Sequence, residues 1–422
     1  MNKSMNPIKA IIITIGDELL NGQTIDTNSA FIARAFNNIG ISILERIAIS
    51  DDANHIVQTL KQCKGKASIV ITTGGLGPTK DDITKKTLAH FFDVGMKRDE
   101  QTHAHVKAIF EKRNRPFLKV NEDQADVPEN CHVLFNDMGT APGMHFIEED
   151  MHYFALPGVP FEMKYLVEHR VVPVLQGAFQ LPRIIHKHIQ TVGLGESFLA
   201  DKIEDIEGEL PAYIKLAYLP SFGKVHLRLT GLEGLSENLQ GEMQAFQNRI
   251  AARLEEYVYA LDERDLHQYM HDLLTERKLQ LSLAESCTGG YVAHLLTKNP
   301  GSSLYMHGSV VTYSYEMKKR ILLVKNDTLE KYGAVSEACV REMAEGLILT
   351  TGVDVGIAIS GIAGPSGGTD DKPVGTVWIA VGNKDKVVSK CFQFYKDRMV
   401  NIESSAVAAL DMLRRFIKAE YS

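Results

Sequence analysis

Cysteine is scarce in this chain: Cys63, Cys131, Cys287, Cys339 and Cys391 are scattered over 422 residues, with no CxxC pair and no even framework. That rules out a disulfide scaffold and leads us to expect reduced thiols and a cytoplasmic location. Long apolar runs are missing too. Residues 10–15 form an aliphatic stretch far shorter than a signal h-region or a membrane span, and no later run is longer, so no membrane contact is expected. Basic charge is not in excess either. A formal net charge of -7 leaves no electrostatic footprint for nucleic acid, although a few local N–H groups can still hold a small anion. What remains, 44% hydrophobic and 23% charged residues, is the composition of a globular protein, long enough for two or three domains.

The N-terminal third alternates strand and helix patterns. Residues 10–15 read as a strand buried on both faces, ending in Gly16-Asp17-Glu18, and Asp26-Thr27-Asn28-Ser29 offers N-cap chemistry for a helix over 30–39. Strands at 41–49 and 68–72 flank a helix that Ser50-Asp51-Asp52 caps. This is an α/β domain with a largely parallel sheet, whose ligand site belongs at the carboxyl ends of the strands. There lies Thr72-Thr73-Gly74-Gly75-Leu76-Gly77-Pro78-Thr79-Lys80-Asp81-Asp82. It is neither GxGxxG nor a P-loop, but its glycines let N–H groups converge on a phosphate or pyrophosphate. Asp81 and Asp82 either hold a divalent metal or complement a helix dipole.

Between 174 and 260 the texture changes to short elements: strands at 184–192, 214–219 and 225–229, and helical spacing over 235–254, a small α+β domain. His186 and His188 share one face of a strand without a third metal ligand. Gly231-Leu232-Glu233-Gly234 spells GxxG, yet it follows a strand and carries an acid that repels a nucleic-acid backbone.

The C-terminal part is organised around residues 279–291, Leu-Gln-Leu-Ser-Leu-Ala-Glu-Ser-Cys-Thr-Gly-Gly-Tyr. Leu279, Leu281 and Leu283 mark a strand, and 291–297 has helical spacing, so Ser286 falls at a strand-to-helix turn. N–H groups around Cys287 to Gly290 can hold the oxyanion of a tetrahedral intermediate. In the simpler reading, Ser286 and Thr288 cap the helix and the glycines make the turn. A serine nucleophile needs a base. Lys318, beyond the β-branched strand 307–313, is one if burial keeps its amine neutral, and is otherwise an exposed lysine beside Lys319 and Arg320. Cys287 is the rival nucleophile, since a helix N-terminus lowers a thiol pKa. A strand at 353–360 runs into Gly361-Ile362-Ala363-Gly364-Pro365-Ser366-Gly367-Gly368, a loop able to present N–H groups to a phosphate, to act as a lid, or merely to reach the strand 375–381. Helices at 336–349 and 401–419 have apolar faces suited to covering a sheet.

Two sets of motifs then carry a resemblance spanning nearly the whole chain. Gly16-Asp17-Glu18-Leu19-Leu20, Asp26-Thr27-Asn28, Thr73 to Asp82, Gly139-Thr140-Ala141-Pro142-Gly143 and Pro157-Gly158-Val159-Pro160 resemble the N-terminal domain of the CinA family, which is similar to the molybdopterin-binding domain of molybdenum cofactor biosynthesis proteins. Ala284 to Gly290, Val311-Thr312-Tyr313-Ser314, Gly333-Ala334-Val335-Ser336, Ser360 to Pro365 and Lys372 to Val377 resemble the nicotinamide mononucleotide amidase domain of the same family. The resemblance implies three parts: a molybdopterin-binding-like α/β domain (1–173), a KH-like α+β domain (174–262) and an α/β amidase domain (263–422). It implies a C-terminal deamidation of nicotinamide mononucleotide with Ser286 as nucleophile, Lys318 as general base and Tyr313 as hydrogen-bonding assistant. Thr288, Gly289, Gly290, Ser360, Gly361, Ala363 and Gly364 would contact that substrate, with no cofactor. It also implies an N-terminal ADP-ribose pyrophosphatase, giving AMP and ribose 5-phosphate, with Asn28, Gly74, Gly75, Gly77, Pro78, Gly139 and Thr140 on the substrate and Asp81, Asp82 and Glu18 on a divalent metal. Small nucleotides are the expected partners, and exposed faces of the middle domain point to a homodimer. The alternative is a non-catalytic pterin- or nucleotide-binding, competence-associated protein.

Overall fold

The computed structural model describes residues 8–79, 82–233 and 236–421, and the chain divides into two compact units, 1–184 and 185–422. In the first unit, strands β1 (Lys9–Ile15), β2 (Ser42–Ile49) and β3 (Ile69–Thr73) lead into a small ribbon of β4 (Met96–Arg98) and β5 (Asp126–Pro128), then β6 (His132–Leu134), β7 (Gly143–Glu148) and β8 (Met151–Leu156). The main sheet has the order β2-β1-β3-β8-β7-β6, parallel from β2 to β8 and antiparallel at β7 and β6. Its centre is dictated by strand alternation. Ile11 and Ile13 enter one apolar cluster and Ala10 and Ile12 the other, so β1 is covered on both faces, and its one buried polar side chain, Thr14, turns its hydroxyl to Ile47 O. The helix Thr27–Asn38 starts where Asp26 accepts the Ser29 N–H.

The second unit carries two sheets. The middle segment folds as β9 (Ile184–Val192), β10 (Ile214–Ser221), β11 (Lys224–Leu232) and β12 (Val258–Ala260), in the order β10-β11-β9-β12, with the helices Glu196–Gly208 and Leu239–Arg253. Leu227 and Leu229 on β11 face these helices in one core with Leu199, Ile203, Met243 and Ile250. The GxxG stretch begins in β11, and its Gly234 lies outside the described residues.

The C-terminal sheet contains β13 (Leu281–Glu285), β14 (Met306–Val311), β15 (Val355–Gly361), β16 (Thr376–Gly382) and β17 (Val387–Gln393), in the order β14-β13-β15-β16-β17. β13 runs parallel to both its neighbours, while β16 and β17 return antiparallel. Leu281 and Leu283 pack towards the long helix Arg398–Glu420, and Ala284 towards the helix Glu337–Thr351. The first strand is thus an interior one, and its carboxyl end, where Ser286 begins, lies between the ends of β14 and β15. No helix among the described residues is long and apolar enough to cross a membrane.

Candidate active sites

The turn after β13 is held by its own last residue. Glu285 is buried, and its carboxylate accepts the N–H groups of Gly290 (3.0 Å), Val292 (3.2 Å) and Ala293 (2.9 Å), which caps the helix Tyr291–Thr297. Capping therefore falls to Glu285, and neither Ser286 nor Thr288 does it. Ser286 is anchored only through its backbone, its N–H donating to Ile359 O at 3.0 Å. Its hydroxyl meets Lys318 Nζ at 3.1 Å.

Lys318 reaches that point because Ser314 caps the helix Tyr315–Leu322, accepting the Met317 N–H at 3.2 Å, which turns the fourth helical residue inward. The lysine is 1% exposed, and its ammonium nitrogen also donates to Thr312 O at 2.6 Å. No carboxylate pairs with it among the described residues. Burial holds its pKa below the ordinary lysine range, with weaker opposing contributions from Cys339 and Cys287. The alternative of an exposed lysine is thereby overturned: the amine is sequestered beside the hydroxyl it would deprotonate.

Of the four N–H groups expected at the oxyanion position, two are already used. Gly289 N–H donates to Ser286 O and Gly290 N–H to Glu285, leaving Cys287 and Thr288 with no main-chain acceptor among the described residues. The hydroxyls of Thr288 and Thr312 are buried and without partners among the described residues, so the vicinity of Ser286 has spare hydrogen-bonding capacity. Cys287 is a poor rival nucleophile. Its thiol is buried, which pushes its pKa up to about 12, against the weaker pull of Lys318 and Arg398.

Tyr313 differs from expectation. It is 61% exposed, and its hydroxyl accepts from Arg398 Nη2 at 3.0 Å, with no hydrogen bond to Ser286 or Lys318 among the described residues. Arg398, at the start of the last helix, also donates to Gly364 O at 2.8 Å, so one guanidinium joins Tyr313 to the 361–368 loop. Nothing in its sequence neighbourhood separates Arg398 from other helix-start arginines. The loop residues divide by role. Ser360 is buried and spends its hydroxyl on Ala334 O (2.7 Å), Gly361 is pressed against Val377, and Ala363 O accepts from Asn401 (2.9 Å). Gly364, with φ +93°, turns the chain beside Arg398.

In the first unit, a cleft of about 770 Å³ opens at the carboxyl ends of β1, β3 and β8, where a parallel sheet places its ligands. Asn28, Gly74, Gly75, Gly77, Pro78 and Thr140 all line it. Gly74 is obligatory: its φ is +120°, and a Cβ there would lie 2.1 Å from Ile15 O. Asn28 Nδ2 ties two walls together through Gly158 O (2.8 Å) and Thr73 Oγ1 (3.3 Å), while its Oδ1 is buried without a partner among the described residues. Thr140 Oγ1 accepts from Gln124 (2.9 Å).

Gly139 stands just behind the wall, where a Cβ would collide with Glu162 at 2.0 Å. Glu162 itself lines the cleft, is buried, and accepts from Asn136 at 2.6 Å; burial raises its pKa. In the sequence Glu162 stands two residues beyond Pro157-Gly158-Val159-Pro160, and nothing in that spacing marks its carboxyl as part of a site.

The metal expectation fares less simply. Asp81 lies outside the described residues. Asp82 accepts the Thr79 N–H at 2.8 Å, and together with Glu18 and Asp17 it lines the cleft beside Asp51. Burial chiefly, and then these three neighbouring carboxylates, raise the Asp51 pKa, although its bond from the Asp17 N–H opposes them. Among the described residues no group of three His, Cys, Asp or Glu is placed to close around an ion. One or two carboxylates with open positions nevertheless suit a hard divalent ion that keeps waters and takes substrate phosphates. Asp51, read from sequence only as part of a helix cap, belongs to this group. The middle segment adds no metal centre: His188 Nδ1 contacts His226 at 2.8 Å, and its Nε2 contacts Glu263 at 3.1 Å.

Comparison with known proteins divides the chain in three. The family model described as a probable molybdopterin binding domain matches residues 11–177, the damage-inducible protein CinA KH domain matches 186–260, and the CinA C-terminal domain matches 263–417. A CinA-like protein of Cytophaga hutchinsonii is 46% identical over 97% of this chain and 98% of its own length. One from Flavobacterium psychrophilum is 44% identical over 98% of this chain and 100% of its own. A putative competence-damage inducible protein of Caldicellulosiruptor bescii is 36% identical over 97% and 99%.

Proposed function

Since the chain belongs to the CinA family, with a molybdopterin-binding-like domain, a KH-like domain and a CinA C-terminal domain, we propose that it is a bifunctional hydrolase of pyridine-nucleotide metabolism. The C-terminal domain deamidates nicotinamide mononucleotide to nicotinate mononucleotide and ammonia. The observation that carries this reading is the buried, carboxylate-free Lys318 amine 3.1 Å from Ser286 Oγ.

Lys318 takes the Ser286 proton, and the alkoxide oxygen attacks the carboxamide carbon. The N–H groups of Cys287 and Thr288 receive the oxyanion. Lys318 returns its proton to the leaving nitrogen as the C–N bond breaks, and ammonia departs. Water then gives a proton to Lys318 and attacks the acyl carbon; Lys318 returns that proton to Ser286 Oγ as the ester bond breaks, and the product acid releases its proton to solvent as the carboxylate. Arg398 and the 361–368 loop hold the ribose phosphate, with Tyr313 orienting the guanidinium through its 3.0 Å hydrogen bond. No cofactor takes part.

The N-terminal domain hydrolyses the pyrophosphate of ADP-ribose, giving AMP and ribose 5-phosphate. Asp82, Glu18 and Asp51 would hold a divalent ion, which when bound neutralises charge on the pyrophosphate. The 74–77 loop supplies N–H groups to the phosphates, and Asn28 Oδ1 is free to accept from the ligand. Both reactions use small nucleotides in the cytoplasm, and the chain acts as a homodimer.

The deciding experiment is ammonia release from nicotinamide mononucleotide by the intact protein and by Ser286→Ala. Release that vanishes in the variant supports the amidase and its nucleophile together. Folded parent protein that releases none overturns the amidase and favours a nucleotide-binding role for that domain.

A further inference from the structure

The second unit contains a crevice of about 660 Å³ whose lining includes neither Ser286 nor Lys318. One wall is the turn Gly193-Leu194-Gly195 between β9 and the thirteen-residue helix Glu196–Gly208. Gly195 gives that helix no side-chain cap, so its first N–H groups are left for another acceptor. The floor is the helix Arg398–Glu420, which presents Ser404, Val407, Ala408, Asp411 and Met412 at helical spacing. That spacing turns Ser404 towards the crevice. It is 4% exposed, and its hydroxyl has no hydrogen-bond partner among the described residues.

The opposite wall comes from the end of β17 and the residues after it. Phe392 and Phe394 stack with ring centroids 5.5 Å apart and planes within 6°, and Tyr395 continues the surface. Lys390 lies over the Phe392 ring at 5.1 Å and has no carboxylate partner among the described residues. The other charges largely cancel: Arg415 is paired with Asp411 (2.9 Å) and Glu256 (3.0 Å), and Lys224 with Asp265 (2.5 Å). Glu196, exposed at the first helical position, is the one acid left to compete with a bound anion.

We propose that this crevice binds a nucleoside monophosphate, its phosphate at the mouth of the helix Glu196–Gly208 beside Ser404 and Lys390, and its base on the Phe392–Phe394–Tyr395 surface. The volume suits a ligand of that size, and a mainly apolar lining with a few convergent polar groups is what such a ligand requires. The site also touches the machinery around Ser286. Tyr395 N–H donates to Asn401 Oδ1, and Asn401 Nδ2 donates to Ala363 O in the 361–368 loop, so an occupied crevice can report to that loop.

The test is hydrogen–deuterium exchange on the full chain with millimolar AMP and, in parallel, inorganic phosphate. AMP is expected to slow exchange about tenfold at 196–199 and at 390–396, and phosphate only at 196–199. Ser404→Ala and Lys390→Ala should each reduce the protection, and Glu196→Gln should increase it. Lys390 is exposed, so its variant stands as the control should Ser404→Ala melt early. The proposal is overturned if AMP leaves both segments unchanged, if protection is identical in the Lys390 variant, or if it appears only within residues 1–184 or the Ser286 turn. Equal protection by phosphate and AMP at both segments would remove the base from the aromatic wall.

Discussion

Glu285 and Ala293 are joined by a 2.9 Å hydrogen bond in which a buried carboxylate closes the helix that follows Ser286. The nucleophile candidate is thereby released from the task most serines at such turns perform. Replacing Glu285 by Ala removes the acceptor of three N–H groups, of which that of Val292 is buried, at a cost of about 1–3 kcal/mol. Glu285→Ala should lower the melting temperature and ammonia release together, whereas Ser286→Ala should lower release alone. Equal melting temperatures for the Glu285 variant and the parent would refute this division of labour.

Burial of Lys318 costs desolvation free energy that an apolar side chain does not, so under the proposed mechanism its replacement separates stability from activity. Lys318→Met should reduce ammonia release by about 10³-fold or more while the melting temperature stays level or rises. A variant that melts early and retains release would contradict the assignment of Lys318 as base.

The same lysine sets a pH dependence. Its folded-state pKa lies below the ordinary 10.5, so between those two values the unfolded chain binds more protons than the folded one. Folding stability therefore gains a contribution as pH rises through that window, and lacks it at pH below the folded-state pKa. Ammonia release should climb with pH across the lowered pKa. Burial of Lys85, which holds its pKa down to about 8, adds a similar rise to both proteins, so denaturant titrations at several pH values should show a larger stability increment in the parent than in Lys318→Met.

Cys287 and Cys391 differ in access. Cys391 is exposed, and the other four cysteines are buried. Iodoacetamide applied to the folded protein should label Cys391 and spare Cys287, as read by peptide mass spectrometry. Cys287→Ala should keep ammonia release within about twofold of the parent. Loss of release in that variant, with Ser286→Ala still active, would exchange the two roles.

Gly139 has no room for a side chain because Glu162 occupies it, 2.0 Å from where a Cβ would stand. Gly139→Ala should displace Glu162 and the Thr140 wall and reduce AMP release from ADP-ribose by at least about tenfold. Ammonia release is expected to stay unchanged, since each reaction has its own unit.

Much of this molecule is determined locally, and that part is legible in the chain. The run 10–15 has to be a doubly covered strand, and the 279–297 segment has to pass from strand to helix at Ser286, because hydrophobic period and glycine placement act over a few residues. The positive φ of Gly74 belongs to the same class. Tertiary structure decided what no short window contains. It buried Lys318 and brought it to Ser286 across 32 residues of chain, gave the capping task to Glu285, drew Tyr313 towards Arg398, and set Asp51 and Glu162 into the cleft of the first unit. Burial and the meeting of distant carboxylates or amines depend on how strands order themselves in a sheet. An isolated lysine reads the same whether its helix turns it outward to water or inward to a serine.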